Sequence, residues 1–113
     1  MSATVFDKII NKQLPADIVY EDDVVLAFKD INPQAPVHVL VIPKHKCRSF
    51  ADLDEVNTGA VGQYMHAVAK IAKQLTGDAG YRVVFNVGKD GQQTVDYLHA
   101  HILGGKQLSW HPA

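Results

Sequence analysis

Only one stretch of this chain has a helical period long enough for a long helix, and everything around it is cut into short pieces. From Ala60 or Val61 to Leu75, the apolar residues Val61, Tyr64, Met65, Val68, Ile71, Ala72 and Leu75 recur at helical spacing along one stripe. Lys70 and Lys73 lie near the C-terminal end, where cations suit the helix dipole, and Gly77 supplies a stop. An amphipathic helix must bury its stripe against something. That surface has to come from the short runs on either side.

Those runs read mostly as strands. Thr4 can cap a short helix whose apolar face is Val5, Phe6, Ile9 and Ile10, with Leu14-Pro15 ending it. Ile18 to Tyr20 and Val24 to Phe28 flank the polar turn Glu21-Asp22-Asp23. Val37 to Ile42 is β-branched and stops at Pro43. Tyr81 to Val87 and His99 to Leu103 complete the set, the last ended by Gly104-Gly105. The expected fold is α+β: a roughly five-stranded antiparallel meander sheet with one long and one short helix.

At 113 residues the chain is expected to form a single domain over 1–113. Hydrophobic residues make up 47% and charged residues 20%, so it can build a core. Its net charge of -1 provides neither the basic face of a nucleic-acid binder nor a polybasic membrane anchor. No nucleic-acid polymer and no membrane is expected as a partner. No run approaches the roughly 18 apolar residues of a membrane span. MSATVFDKII lacks a charged segment followed by an apolar core, so no secretory signal is expected. Cys47 is the only cysteine, which fits a reducing, cytoplasmic setting. The tail 106–113 holds the only tryptophan, Trp110, a residue suited to docking on another subunit.

Six histidines are present, and two of them stand out. On a strand, His99 and His101 point to one face and Ala100 and Ile102 to the other. Three readings stay open. The pair can be a hydrogen-bonded structural feature. It can be a metal site, with His38 as the obvious third ligand. It can also be catalytic, one imidazole serving as nucleophile and the other as donor to an anion. The loop Gly88-Lys89-Asp90-Gly91-Gln92-Gln93-Thr94 leads into the pair, and its glycines, amides and hydroxyl suit a phosphate.

The stretch from Gln93 to Gly105, QTVDYLHAHILGG, resembles the signature of the histidine triad (HIT) superfamily, His-φ-His-φ-His-φ-φ with φ apolar. Phe6-Asp7-Lys8-Ile9-Ile10, Leu14-Pro15-Ala16, Tyr20 to Asp23, Ala27 to His38 and Val41 to His45 are similar to the Hint branch of that superfamily. So is the ending Leu-Gly-Gly with Gln107 and Trp110, in place of the Pro-Arg of the Fhit branch. The likeness covers nearly the whole chain. It departs at one position: Tyr97 stands where the first triad histidine is expected.

The resemblance implies a HIT-like fold whose sheet joins a partner's in a homodimer, with the C-terminal tail at the interface. It implies a purine nucleoside phosphoramidase that cleaves the P–N bond of AMP-amine conjugates, with no metal or other cofactor. His99 would be the nucleophile, and His101 and Thr94 would serve the phosphate. Gln92, Gln93, Asn86, His38 and Ala100 match further positions around the nucleotide. Phe6, Ile9, Phe28, Ile31 and Leu40 would line the base pocket, and Asp30 would take the ribose hydroxyls. Phe28, Ile31 and Leu40 also read as core residues, and Asp30 as a turn former before Asn32-Pro33. The tyrosine at position 97 leaves a second reading: a nucleotide-binding module with little or no catalysis. A zinc-binding or protein-interaction role is a third.

Overall fold

The computed structural model describes residues 3–113. Along the chain run α1 (Val5–Ile10), β1 (Ile18–Glu21), β2 (Val25–Lys29), β3 (Val37–Pro43), α2 (Thr58–Thr76), β4 (Tyr81–Val84) and β5 (Ala100–Gly104). A 3₁₀ turn at Phe50–Glu55, without a periodic signal in the sequence, precedes α2.

Local chemistry explains the ends of the helices. Thr4 caps α1 by accepting from the Phe6 and Asp7 amides, and the Asp7 carboxylate closes the box on the Thr4 amide at 2.6 Å. The helix ends at Ile10 rather than at Leu14-Pro15, because Lys12 turns the chain with φ of 60°. Helix α2 starts earlier than its apolar stripe suggests, since Asn57 caps it through the Gly59 and Ala60 amides. Its buried face is Tyr64, Ala67, Val68, Ile71 and Ala72. Met65, expected on that face, is exposed instead. The small Ala67 occupies the buried position, which lets the helix lie close to the sheet.

All neighbouring strands are antiparallel, in the order β1-β2-β3-β5-β4. The first three follow a meander. The crossover through α2 then carries β4 to the outer edge, and β5 takes the place between β3 and β4. β4 stops at Val84, short of the expected Val87, and its ladder with β5 runs from Tyr81 opposite Gly104 to Val84 opposite His101.

Strand alternation sorts the side chains onto two faces. Val25, Ala27, Val39, Val41, Ala100 and Ile102 pack beneath α2. Leu26, Phe28, Leu40 and Ile42 pack on the opposite face with Phe6 and Ile9 of α1 and with Tyr97. Ala100, expected against the nucleotide, is fully buried beneath α2. No helix among the described residues is long and apolar enough to cross a membrane.

Candidate active site

His38 and His101 alternate with residues of the α2 face, so both project onto the α1 face. Leu40 pairs with His101 across β3 and β5, which places His38 diagonally beside it. Their ring centroids are 5.2 Å apart, and that of His99 is 5.0 Å from His101. Three imidazoles therefore stand in a row, two of them predicted from spacing and the third from the neighbouring strand.

The partners of each ring fix its tautomer. The Gln34 amide donates to His38 Nδ1 at 3.0 Å, so the proton of neutral His38 sits on Nε2. That nitrogen lies 2.9 Å from His101 Nδ1 and donates to it. The neutral His101 ring then carries its proton on Nε2. His99 is set the opposite way. Its Nδ1 lies 2.7 Å from the Tyr97 carbonyl, which can only accept, so its Nε2 keeps a bare lone pair.

Burial favours the neutral forms of His101 and His99. It pushes His101 down to about 4, with the nearby His99 and His38 adding to the effect. It also lowers His99, against the opposing pull of the Tyr97 carbonyl and the Asp30 charge. Phe6 supplies much of this cover, its ring edge-on to His99 at 5.0 Å. The same ring contacts Phe28 at 5.5 Å and Tyr97 at 6.1 Å. Phe6, Ile9, Phe28 and Leu40 thus form one apolar wall beside the imidazoles.

Two more of the expected residues lie where the chain leaves β2. Ile31 is 102% exposed, so it is no core residue. It sits in the turn after β2, where the chain leaves the sheet. Asp30 is a turn former: its Oδ1 accepts from the Asn32 amide at 2.8 Å. Its Oδ2 lies 3.4 Å from His38 Nε2, which ties the turn to the histidine row.

The loop before β5 is braced from within. Asn86 Nδ2 donates to the Gly91 carbonyl at 2.8 Å. Gln93 Nε2 donates to the Arg48 and Val95 carbonyls, so its amide protons serve the loop. The Gln92 amide is likewise engaged, by the Lys89 carbonyl at 3.1 Å. Gly91 is required here, since a Cβ would come within 2.3 Å of the Val87 carbonyl oxygen. Thr94, whose hydroxyl is the donor the resemblance assigns to the phosphate, is exposed.

Tyr97 is 1% exposed. Its hydroxyl donates to the Pro43 carbonyl, and burial raises the hydroxyl well above its ordinary range, so it stays protonated. Lys46, which pairs with Asp7 at 2.9 Å, holds its ammonium 5.7 Å from the Tyr97 ring centroid. Neither the Gln34 amide nor the Tyr97 carbonyl can be found from residue type, because both act through the backbone.

Asp30, His38 and His101 also hold three ligand-type atoms within 4.8 Å of one another. The metal reading left open by the sequence would combine His38, His99 and His101. Asp30, brought in by the turn, takes the place of His99. A cavity of about 810 Å³ lies elsewhere, lined by Cys47, Leu53, Val56, Val61, Tyr64 and Leu98 among others, and none of the histidine row borders it. His45, His66 and His111 are exposed and stand apart from the row.

The HIT domain family model matches residues 11–108. The chain is 48% identical to the "14 kDa zinc-binding protein" of Zea mays, over 98% of this chain and 88% of that protein. It is 42% identical to the "Adenylylsulfatase HINT1" of Arabidopsis thaliana, over 98% of this chain and 77% of that protein. Among solved structures, a histidine triad protein from Clostridium difficile superposes with a TM-score of 0.88 at 43% identity, covering 98% of this chain and 99% of that one.

Proposed function

This chain belongs to the HIT domain family, and on that premise we propose that it is a purine nucleoside phosphoramidase of the Hint branch, with His99 as nucleophile. The observation that carries this reading is the opposed pair of tautomers. His99 presents a bare Nε2, and His101 presents an Nε2–H, on one face of the sheet.

The bare Nε2 of His99 attacks the α-phosphorus of an AMP-amine conjugate. A P–N bond to His99 forms, and the P–N bond to the amine breaks. The electron pair leaves with the amine nitrogen, which takes a proton from solvent. Water then attacks the adenylyl-histidine and yields one proton to solvent, the P–N bond to His99 breaks, AMP is released and His99 returns to its neutral form. The His101 Nε2–H and the Thr94 hydroxyl donate to the phosphoryl oxygens as charge builds there. The Phe6, Ile9, Phe28 and Leu40 wall, extended by the exposed Ile31, takes the purine. The Asp30 carboxylate takes the ribose hydroxyls through its remaining lone pairs. Asn86, Gln92 and Gln93 act by shaping the loop that carries Thr94.

The outer edge of β4 is the place for a second copy. Among the described residues β4 pairs only with β5, and edge strands seek partners. Arg82 Nη2 holds the Ser109 carbonyl at 2.7 Å, which lays the tail beside that edge with Trp110 82% exposed. Sedimentation at micromolar concentration is expected to give twice the 12.4 kDa chain mass, and a monomer alone overturns the dimer.

Turnover of an AMP-amine conjugate by purified protein tests the activity, with His99→Ala expected to abolish it. AMP binding without turnover in the wild type would instead support a nucleotide-binding module. The Asp30, His38 and His101 cluster favours zinc binding as another reading. A metal on His38 Nε2 would, however, move the ring proton to Nδ1 and break its bond from Gln34. Stoichiometric zinc in the purified protein would support that reading.

A further inference from the structure

Tyr97 sits where the triad pattern calls for an imidazole, and its side chain is fully committed to the protein. Its hydroxyl proton goes to the Pro43 carbonyl. Its ring lies in the α1-face cluster, edge-on to Phe6 and within reach of the Lys46 ammonium. Its amide donates to the Val95 carbonyl at 2.9 Å, and the next amide, that of Leu98, donates to the Cys47 carbonyl at 2.7 Å. The peptide unit between these fixed points carries the carbonyl that receives His99 Nδ1–H. Residue 97 therefore touches the reacting ring through its backbone, while its side chain pins that backbone to the end of β3.

We propose that Tyr97 is a positioning residue. The hydroxyl anchor on Pro43 holds the Tyr97 carbonyl against His99 Nδ1–H and so keeps the lone pair of His99 on Nε2. The inference rests on the reading of His99 as nucleophile for its catalytic consequence, but its structural content stands separately.

The chemistry makes the carbonyl matter most during attack. When Nε2 bonds to phosphorus, the ring becomes cationic while Nδ1 keeps its proton. A fixed acceptor at 2.7 Å then gains strength without having to move. A buried tyrosine serves this purpose with no charge of its own, and its hydroxyl gives no proton to the substrate because Pro43 holds it. The missing imidazole is thus replaced by an anchor rather than by another acid.

Nitrogen–proton correlation spectra of the histidine rings test this directly on the wild-type protein. His99 is expected as the Nδ1–H form with a slowly exchanging proton. A predominantly Nε2–H ring overturns the proposal before any variant is made. Tyr97→Phe, which removes only the hydroxyl, is expected to mix the two tautomers. It is expected to lower kcat for an AMP-amine conjugate about tenfold while KM and AMP affinity stay near wild type. An unchanged His99 ring and unchanged kcat in that variant overturn the anchor. Tyr97→His is expected to bring no gain in turnover and no new limb in the pH profile, and a marked gain shows that an imidazole was needed. If turnover is absent in every form while Tyr97→Phe still mixes the tautomers, the anchor stands and the phosphoramidase reading falls.

Discussion

His38 Nε2 lies 2.9 Å from His101 Nδ1, and the proton between them belongs to His38. The reason is a bond one step further back, from the Gln34 amide to His38 Nδ1. A turn at the end of β2 thereby decides which nitrogen of His101 faces outward with a proton. The row works as a relay of orientation, running from backbone amide to ring to ring. No proton has to travel along it.

His38→Ala removes the donor to His101 Nδ1 and lets that ring change tautomer. Turnover of an AMP-amine conjugate is expected to fall about 10- to 100-fold, the usual range for an orienting partner of a functional histidine. His38→Gln, whose side-chain amide can still donate, is expected to recover part of the loss. Steady-state kinetics on the two variants checks this, and equal losses in both would remove the orienting role.

Stability is expected to fall on the acid side because of His101. Its folded value of about 4 lies below the roughly 6.5 of an unfolded histidine. Between those values the unfolded chain binds a proton that the folded chain does not. The contribution is thus complete above about pH 6.5 and is lost as the pH falls toward 4, by about 1–3 kcal/mol. The carboxyls of Asp7 and Asp22, held low by backbone donors against the effect of burial, lose their contributions at lower pH still. Urea titrations at pH 7, 5.5 and 4.5 measure the slope, and His101→Leu is expected to flatten it.

Asp7 links a helix cap to the site. Its carboxylate accepts from the Thr4 amide and from Lys46, and α1 carries the Phe6 ring that covers His99. Asp7→Asn is expected to cost about 1 kcal/mol of stability through the weakened cap and ion pair. It should also loosen Phe6 over His99, so that the ring titrates nearer the ordinary histidine value. An NMR titration of His99 in this variant shows the shift, and an unmoved midpoint would separate α1 from the site.

The parts of this arrangement that repeat along the chain were legible in the sequence. The long helical stripe, the β-branched run before Pro43 and the alternation of His99 with His101 each follow from a period. Their boundaries were less so, because Asn57 capping and the late start of β5 are local or tertiary events. Ile31 read as core because it is apolar, but its place in a turn leaves it exposed. Asp30 reads as a turn former and, by resemblance, as a ribose ligand, but its approach to His38 depends on the fold. The tautomers needed it most, since they depend on a backbone amide at Gln34 and a backbone carbonyl at Tyr97 that residue type does not reveal.

The adenylyl-histidine intermediate gives the most direct test. Wild-type protein mixed with an AMP-amine conjugate, quenched in the steady state and digested under conditions that preserve phosphoramidate bonds, is examined by peptide mass spectrometry. One adenylyl group on His99 is the expected result, absent from His99→Ala. Turnover without any modified histidine, or modification of His101 instead, would contradict the assignment of His99 as nucleophile.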